Sequence, residues 1–263
     1  MKQPKVLLGC PTYAGKNYCV ERWMERAKNL NYTNYDILIV DNTDDGGKNA
    51  QWLRDKFGVR VIHHYENKQT LFTLMTTCLN KVRDVVLKEG YEYFFSLEAD
   101  VIPPENIIPT LMNLQKPIVS AMYRIGPPGW EFPLLQIMET TKEGGGKAEA
   151  YARQMFWHEM FHYIDGEVKP IFACGIGCTL MHRALLEAVP FREDEKNPFV
   201  YADSIFYLDL WNKNIENLVH TGILCKHLNR DWTLVHQERK GEFGDEIFNL
   251  KDKHLLEEKK NVK

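Results

Sequence analysis

The chain has 263 residues, of which 44% are hydrophobic and 26% are charged, and its formal net charge is −3 at pH 7. This composition is typical of a globular protein, and the small negative charge argues against attraction of polyanions by the molecule as a whole. No apolar run approaches the length of a membrane span. Residues 1–5 lead into a strand-like segment without the apolar region of a signal peptide, so a cytoplasmic location is expected.

Strand-like and helix-like segments alternate along the first hundred residues. Short apolar runs predict strands, and longer segments with apolar residues every three or four positions predict helices. The predicted strands cover residues 5–10, 36–40, 59–63 and 93–97, and the helices between them cover residues 18–30, 47–57 and 70–89. This alternation indicates an α/β fold with a doubly wound, mostly parallel central sheet flanked by helices.

The second half of the chain is less regular. Its predicted elements are a strand at 118–123, an apolar glycine-containing segment at 172–182, a helix at 203–213 and a strand at 218–225. Between them, residues 126–165 are rich in aromatic side chains, which could stack on sugars or bases or pack in an ordinary core. The pattern does not decide between these interpretations.

Two acidic residues stand directly after the fourth predicted strand. Glu98 and Asp100 follow the apolar run 93–97, and Pro103-Pro104 ends the segment. In an extended backbone, side chains two residues apart point to the same side. Two carboxylates on one side of a crevice suit Mg²⁺ or Mn²⁺ carrying substrate phosphates, whereas an isolated pair of this kind is more often a solvated acidic turn.

Polar residues also follow two other predicted strands, in Pro11-Thr12-Tyr13 and in Asp41-Asn42. In doubly wound sheets, ligands bind beyond the carboxyl ends of the strands. We therefore expect these segments to meet Glu98-Ala99-Asp100 at one edge of the sheet. Such a convergence favours a ligand site over a solvated turn.

Six motifs, taken in order, resemble those of the family 2 inverting glycosyltransferases, which have the GT-A fold. They are Cys10-Pro11-Thr12-Tyr13, the segment 39–45 around Asp41-Asn42, Glu98-Ala99-Asp100 before Pro103-Pro104, the glycine-containing segment 175–183, Ala202-Asp203, and His227 at the end of a late strand. The resemblance covers roughly residues 5–228. It implies a GT-A-type sheet with a smaller mixed sheet in the acceptor-binding half.

The resemblance implies transfer of a hexose-type sugar from a nucleoside diphosphate sugar, with a UDP-sugar as the expected donor. Asp100 and His227 correspond to the contacts of the metal, which would be Mn²⁺ or Mg²⁺. The family has Asp at the position of Glu98, so contact of Glu98 with the metal or with the ribose stays open. The positions implied to bind the nucleotide sugar are Pro11, Thr12, Tyr13, Asp41, Lys68, Glu98 and Ala99.

The general base of the family corresponds to Asp203. The family usually has Glu-Asp at the start of this helix, and this chain has Ala202-Asp203, so only the aspartate carries over. A carboxylate here could take the proton of the acceptor hydroxyl, but an Asp at the start of a helix is also a common N-cap. Positive charge for the leaving diphosphate could come from Lys226, Arg230 or Lys240.

The resemblance also suggests how the chain is divided. It implies one glycosyltransferase domain at 1–240, with a nucleotide-binding half at 1–123 and an acceptor-binding half at 124–240, followed by a charged helical tail at 241–263. The acceptor stays open between a glycan, a lipid-linked sugar, a protein and a hydroxylated base in DNA, and the oligomeric state is open as well.

Two other classes of function remain. One is a nucleotidyltransferase, although residues 11–16 match the glycine-rich basic loop of such enzymes poorly. The other is a non-enzymic module that binds nucleotide sugars and needs no general base.

Overall fold

The computed structural model describes residues 3–67, 69–126, 131–141, 149–194 and 200–228. Strands and helices alternate in the first half, and their bounds differ from the predicted ones by two residues at most. In chain order these elements are β1 (Val6–Thr12), a 3₁₀ helix (Ala14–Lys16), α1 (Asn17–Lys28), β2 (Tyr35–Asp41), α2 (Lys48–Phe57), β3 (Arg60–His63), α3 (Leu71–Lys88) and β4 (Tyr93–Leu97).

The second half contains more short elements than the sequence predicts. The predicted strand at 118–123, helix at 203–213 and strand at 218–225 correspond to β6 (Ile118–Ile125), α7 (Ala202–Asn212) and β12 (Leu218–His227). The elements are β5 (Val101–Ile102), α4 (Ile107–Met112), β6 (Ile118–Ile125), β7 (Phe132–Pro133), β8 (Gln136–Thr141), β9 (Glu149–Gln154), α5 (Trp157–Tyr163), β10 (Val168–Pro170), β11 (Cys178–His182), α6 (Arg183–Ala188), α7 (Ala202–Asn212) and β12 (Leu218–His227).

The large sheet has a parallel part and a mixed part. Strands β3, β2, β1 and β4 lie side by side in that order, and each neighbouring pair is parallel. Beyond β4 the order continues with β11, β6, β12 and β10, in which β6 and β12 are parallel and the other pairs are antiparallel. The sheet is therefore mixed, and the prediction of a mostly parallel sheet holds only for its first four strands.

The direction of β11 has a simple cause. Cys178 pairs with Leu97, the last residue of β4, so β11 enters the sheet at its carboxyl edge and runs back. No helical crossover, which a parallel strand would need, precedes that entry within residues 171–177. The small second sheet is the antiparallel pair β8–β9 and is not mixed as predicted.

Buried side chains cover both faces of the sheet, because side chains alternate along each strand. In β1, Val6 and Leu8 join one apolar cluster, and Leu7 joins another on the opposite face. Helices α1, α2 and α4 pack into the first cluster, and α3, α6 and α7 pack into the second. This two-sided cover is the doubly wound arrangement, which directs ligands to the ends of the strands.

A third buried cluster attaches the small sheet and α5 to the large one. Met155 and Met160 pack there with Met122 of β6. The side chains of Trp157 and Phe161 are 58% and 82% exposed. The aromatic segment is therefore divided between core packing and an exposed surface.

The described residues all fall in one compact unit. Within the described ranges, no helix combines the length and the apolar composition that crossing a bilayer requires. The predicted domain boundary at 240 and the tail at 241–263 lie outside these ranges, as do Lys68, Arg230 and Lys240.

Candidate active site

The turn after β4 is held in place from both sides. The backbone N–H of Glu98 donates to the carbonyl of Gly177 at 3.0 Å. On the other side, Val101 pairs with His227 between β5 and β12, and the N–H of Leu228 donates to the carbonyl of Asp100 at 2.7 Å. Strands β11 and β12 therefore fix the position of the acidic turn.

Asp100 is buried, and its two carboxylate oxygens have different surroundings. Oδ2 receives the ammonium of Lys16 and lies 3.3 Å from Nε2 of His227. Oδ1 has no hydrogen-bond partner among the described residues. Burial alone would raise the pKa of Asp100, but the hydrogen bond to His227 and the charge of Lys16 hold it well below its usual range. A buried, charged and unpartnered oxygen is costly without a further ligand.

His227 presents one ring nitrogen to Asp100. Its Nδ1 lies 2.5 Å from the carbonyl oxygen of Arg124, which can only accept, so Nδ1 carries a hydrogen. In the neutral ring, Nε2 is then the bare nitrogen, and this is the form that binds metals. The ring of Tyr123 packs edge-on against it, with centroids 5.3 Å apart. Burial lowers the pKa of His227, but the adjacent carboxylate of Asp100 raises it overall.

The side chain of Glu98 lies next to Gly177 and belongs to the same site. Burial and the neighbouring charge of Asp100 raise the pKa of Glu98 to about 7. A Cβ at Gly177 would lie 2.9 Å from Oε2 of Glu98 and 2.8 Å from the hydroxyl of Tyr123. Only a residue without a side chain leaves both groups where they are.

Two groups of side chains in the described residues could hold a metal ion. In one, Glu98, Asp100 and His227 each offer a ligand atom within 4.8 Å of the others. The orphaned Oδ1 of Asp100 and Nε2 of His227, which is bare only when the ring is neutral, make this set fit a divalent ion, since carboxylate and imidazole are ordinary metal ligands. The other group consists of Asp41, Asp45 and His63.

Asp41 is fully buried and well supplied with partners. Its Oδ1 accepts from Thr43 Oγ1 at 2.6 Å and from Asn49 Nδ2 at 2.7 Å, and its Oδ2 lies 3.1 Å from His63 Nδ1. Asp41 was predicted to contact the nucleotide directly. In the structure its carboxylate contacts three side chains near the end of β2, and direct contact with a nucleotide stays a prediction.

The other predicted nucleotide-binding residues that the structure describes lie along the same edge. Thr12 pairs with Asp41 in the β1–β2 register, and its buried hydroxyl has no partner among the described residues. Pro11 precedes it, and Tyr13 follows with an extended backbone before the 3₁₀ helix. The carbonyl of Ala99 accepts a hydrogen bond from the Cys19 thiol at 3.2 Å. Lys68 is outside the described residues.

Asp203 is the second residue of α7 and not its N-cap. The helix begins at Ala202, and the cap position is Tyr201, whose side chain makes no capping bond. The carboxylate accepts from the N–H of Ser204 at 2.8 Å, and burial raises its pKa. Its charge contributes to the raised pKa values of Glu98 and Tyr123. The capping interpretation of Asp203 was therefore wrong.

Three residues of this site were not selected from the sequence: Lys16, Tyr123 and Gly177. The usable signal was their position, because Lys16 follows β1 at the ligand edge, Tyr123 ends the predicted strand 118–123, and Gly177 lies in the glycine-containing motif 175–183. Comparison of the chain with protein-family models and with curated proteins finds no match. The motifs and the geometry of this edge are therefore what point to a function.

Proposed function

We propose that the protein is a metal-dependent, inverting glycosyltransferase of the GT-A type, which uses a nucleoside diphosphate sugar and most readily a UDP-sugar. The observation that carries the proposal is the buried carboxylate of Asp100, with one unpartnered oxygen and with His227 Nε2 3.3 Å from the other. The ends of β1 and β2 lie beside it in the sheet. A nucleotide and an ion can therefore bind along one edge.

Asp100 and His227 would hold the ion, with Glu98 beside them, and Mn²⁺ or Mg²⁺ is the expected metal. When bound, the ion would neutralise the charge that develops on the departing diphosphate. The chain's own contribution is to fix these groups. The Arg124 carbonyl sets the tautomer of His227, and Gly177 admits Glu98 to the site.

The nucleoside would lie over the ends of β1 and β2. Thr43 joins these two ends, since its Oγ1 accepts from the N–H of Ala14 at 2.9 Å and donates to Asp41. Asp41 would then act by holding Thr43 and His63 in place. The unpartnered hydroxyl of Thr12 offers a further hydrogen bond to the ligand.

Asp203 would act as the general base. The proton of the acceptor hydroxyl passes to its carboxylate while the hydroxyl oxygen bonds to the anomeric carbon and the bond to the diphosphate breaks. Burial raises the pKa of Asp203, so its carboxylate is a stronger proton acceptor than an exposed one. One displacement of this kind inverts the anomeric configuration.

The decisive experiment offers the purified protein a panel of nucleoside diphosphate sugars with Mn²⁺ and pooled acceptors, followed by mass spectrometry of the products. We expect a mass increase of one hexose residue and release of a nucleoside diphosphate. Release of a sugar 1-phosphate, with transfer of a nucleoside monophosphate, would instead indicate a nucleotidyltransferase. Tight donor binding without product, and without any effect of Asp203→Asn, would indicate a binding module.

A further inference from the structure

Lys16 occupies the position of a cation in the candidate site. Its ammonium contacts Oδ2 of Asp100, the same oxygen that lies 3.3 Å from His227 Nε2. Lys16 is the last residue of the 3₁₀ helix after β1, and its side chain is 32% exposed, compared with 3% for Asp100. The lysine side chain therefore extends from the protein surface to the buried carboxylate of Asp100 and covers only part of that carboxylate.

The backbone around Lys16 connects the two ends of the proposed donor site. Its N–H donates to the carbonyl of Tyr13 at 2.9 Å. In the same turn, the N–H of Ala14 donates to Thr43, whose hydroxyl donates to Asp41. A nucleoside at Asp41 and an ion at Asp100 would place the diphosphate between them, alongside this turn.

Lys16 and a divalent ion would compete for the carboxylate of Asp100, because both are positively charged. An ammonium and a dication on the same carboxylate oxygen repel each other strongly in a buried site. Lysine has a flexible four-carbon stem, so its charged end can move while its backbone stays fixed. Phosphate oxygens next to the turn would give the displaced ammonium a new negatively charged partner.

On the basis of the proposed function, we propose that Lys16 is a diphosphate-binding residue that a divalent ion displaces from Asp100. Without an ion, Lys16 keeps the buried carboxylate paired. With an ion and a donor bound, its ammonium binds the phosphate oxygens. The prediction that distinguishes this role from a fixed ion pair is that removal of the charge changes metal affinity and nucleotide affinity in opposite directions.

The test uses Lys16→Met, which keeps the length of the stem and removes the charge. Mn²⁺ affinity is measured by electron paramagnetic resonance without nucleotide, and UDP affinity by calorimetry in saturating Mn²⁺. We expect Mn²⁺ to bind roughly tenfold more tightly and UDP roughly tenfold more weakly than in the wild type, the effect of one charge-assisted hydrogen bond. The control is Lys88→Met, which removes an exposed lysine paired with Asp84 and should change neither value.

An unchanged Mn²⁺ affinity in Lys16→Met would overturn the competition, and an unchanged UDP affinity would overturn the role in phosphate binding. If UDP binds neither protein, the proposed function and the phosphate role both fail, while the ratio of Mn²⁺ affinities still decides whether Lys16 competes for Asp100. Thermal unfolding verifies that the variant is folded. Should it not fold, Lys16→Gln, which keeps a hydrogen-bond donor without the charge, replaces it in both measurements.

Discussion

His227 lies on β12, 127 positions along the chain from Asp100, yet its Nε2 is 3.3 Å from Oδ2 of that residue. The antiparallel pairing of Val101 with His227 brings the two together. The carbonyl of Arg124 then orients the imidazole through Nδ1. A strand pairing and one backbone carbonyl thus convert a distant histidine into a neighbour of the acidic turn.

Replacement of Asp100 by Asn should strongly weaken metal binding. The amide keeps the size of the side chain but loses the charge, and a neutral amide oxygen binds a divalent ion more weakly than a carboxylate does. We expect Mn²⁺ affinity to fall by roughly 100-fold or more, and any transfer activity to fall with it. Electron paramagnetic resonance of added Mn²⁺ measures the affinity directly.

The control for Asp100→Asn is Asp84→Asn, which neutralises an exposed carboxylate that pairs with Lys88 on α3. It should leave Mn²⁺ binding unchanged. Wild-type Mn²⁺ affinity in Asp100→Asn, or full turnover in excess chelator, would remove Asp100 from the metal site.

Gly177→Ala should damage the site through packing. The added methyl group would lie 2.8 Å from the ring and the hydroxyl of Tyr123 and 2.9 Å from Glu98. We expect a loss of about 1–3 kcal/mol in the free energy of unfolding, as for other overpacked positions, together with weaker Mn²⁺ binding. Denaturant unfolding and Mn²⁺ titration measure the two effects.

Gly46→Ala provides the comparison for Gly177→Ala. Gly46 has a φ of +67° and open space around it, so alanine there strains the backbone without touching the site. It should lose about 1 kcal/mol of stability and keep its Mn²⁺ affinity. Equal Mn²⁺ affinities in the two variants would show that Gly177 does not shape the site.

The parallel part of the fold could be predicted because each of its elements has a local signal. The strand at 93–97 is an uninterrupted apolar run, and the spacing of apolar residues from 70 to 89 is helical. Asp41 and Asp100 both fall at or just after the ends of such strands. Their approach to a common edge then follows from the geometry of parallel sheets.

The rest of the fold and of the candidate site depends on contacts between residues that are distant in the sequence, and such contacts leave no local pattern. The direction of β11 follows from the pairing of Cys178 with Leu97. The partner of Asp41 on α2, Asn49, is an ordinary polar residue in the sequence. Lys16 reaches Asp100 only because a long side chain spans the gap. Helix α7 begins at Ala202, which puts its cap at Tyr201, two residues before Asp203.

Asp41→Asn should affect both stability and nucleotide binding. The carboxylate accepts from Thr43 and Asn49 and faces His63, and an amide NH₂ cannot accept in place of either oxygen. We expect a loss of about 1–3 kcal/mol in the free energy of unfolding and a roughly tenfold weaker affinity for UDP, through displacement of its neighbours. Denaturant unfolding and calorimetry provide the measurements.

The matched control for Asp41→Asn is Asp36→Asn, near the opposite end of β2, where the carboxylate accepts from the hydroxyl of Tyr91. It should leave UDP affinity unchanged, since it lies at the other edge of the sheet. If Asp41→Asn binds UDP as the wild type does, the nucleoside does not lie over the end of β2.

Asp203→Asn isolates the proton-accepting role. The amide oxygen can still accept from the N–H of Ser204, and the helix start at Ala202 does not depend on the charge. An amide cannot take a proton at neutral pH, so turnover should fall by about 10²–10⁴-fold, the usual contribution of general base catalysis. UDP affinity and melting temperature should barely change.

Asp209→Asn on the same helix is the comparison for Asp203→Asn, since that carboxylate pairs with Arg192 and has no proposed role in the chemistry. It should keep full turnover.

The anomeric configuration of the product, determined by proton NMR coupling constants, provides a second and independent readout. A product that retains the donor's configuration contradicts a single displacement, because direct attack assisted by Asp203 can only invert the anomeric carbon. If Asp203→Asn turns over at the wild-type rate, the carboxylate does not accept the proton of the hydroxyl, and the base must lie elsewhere at this edge.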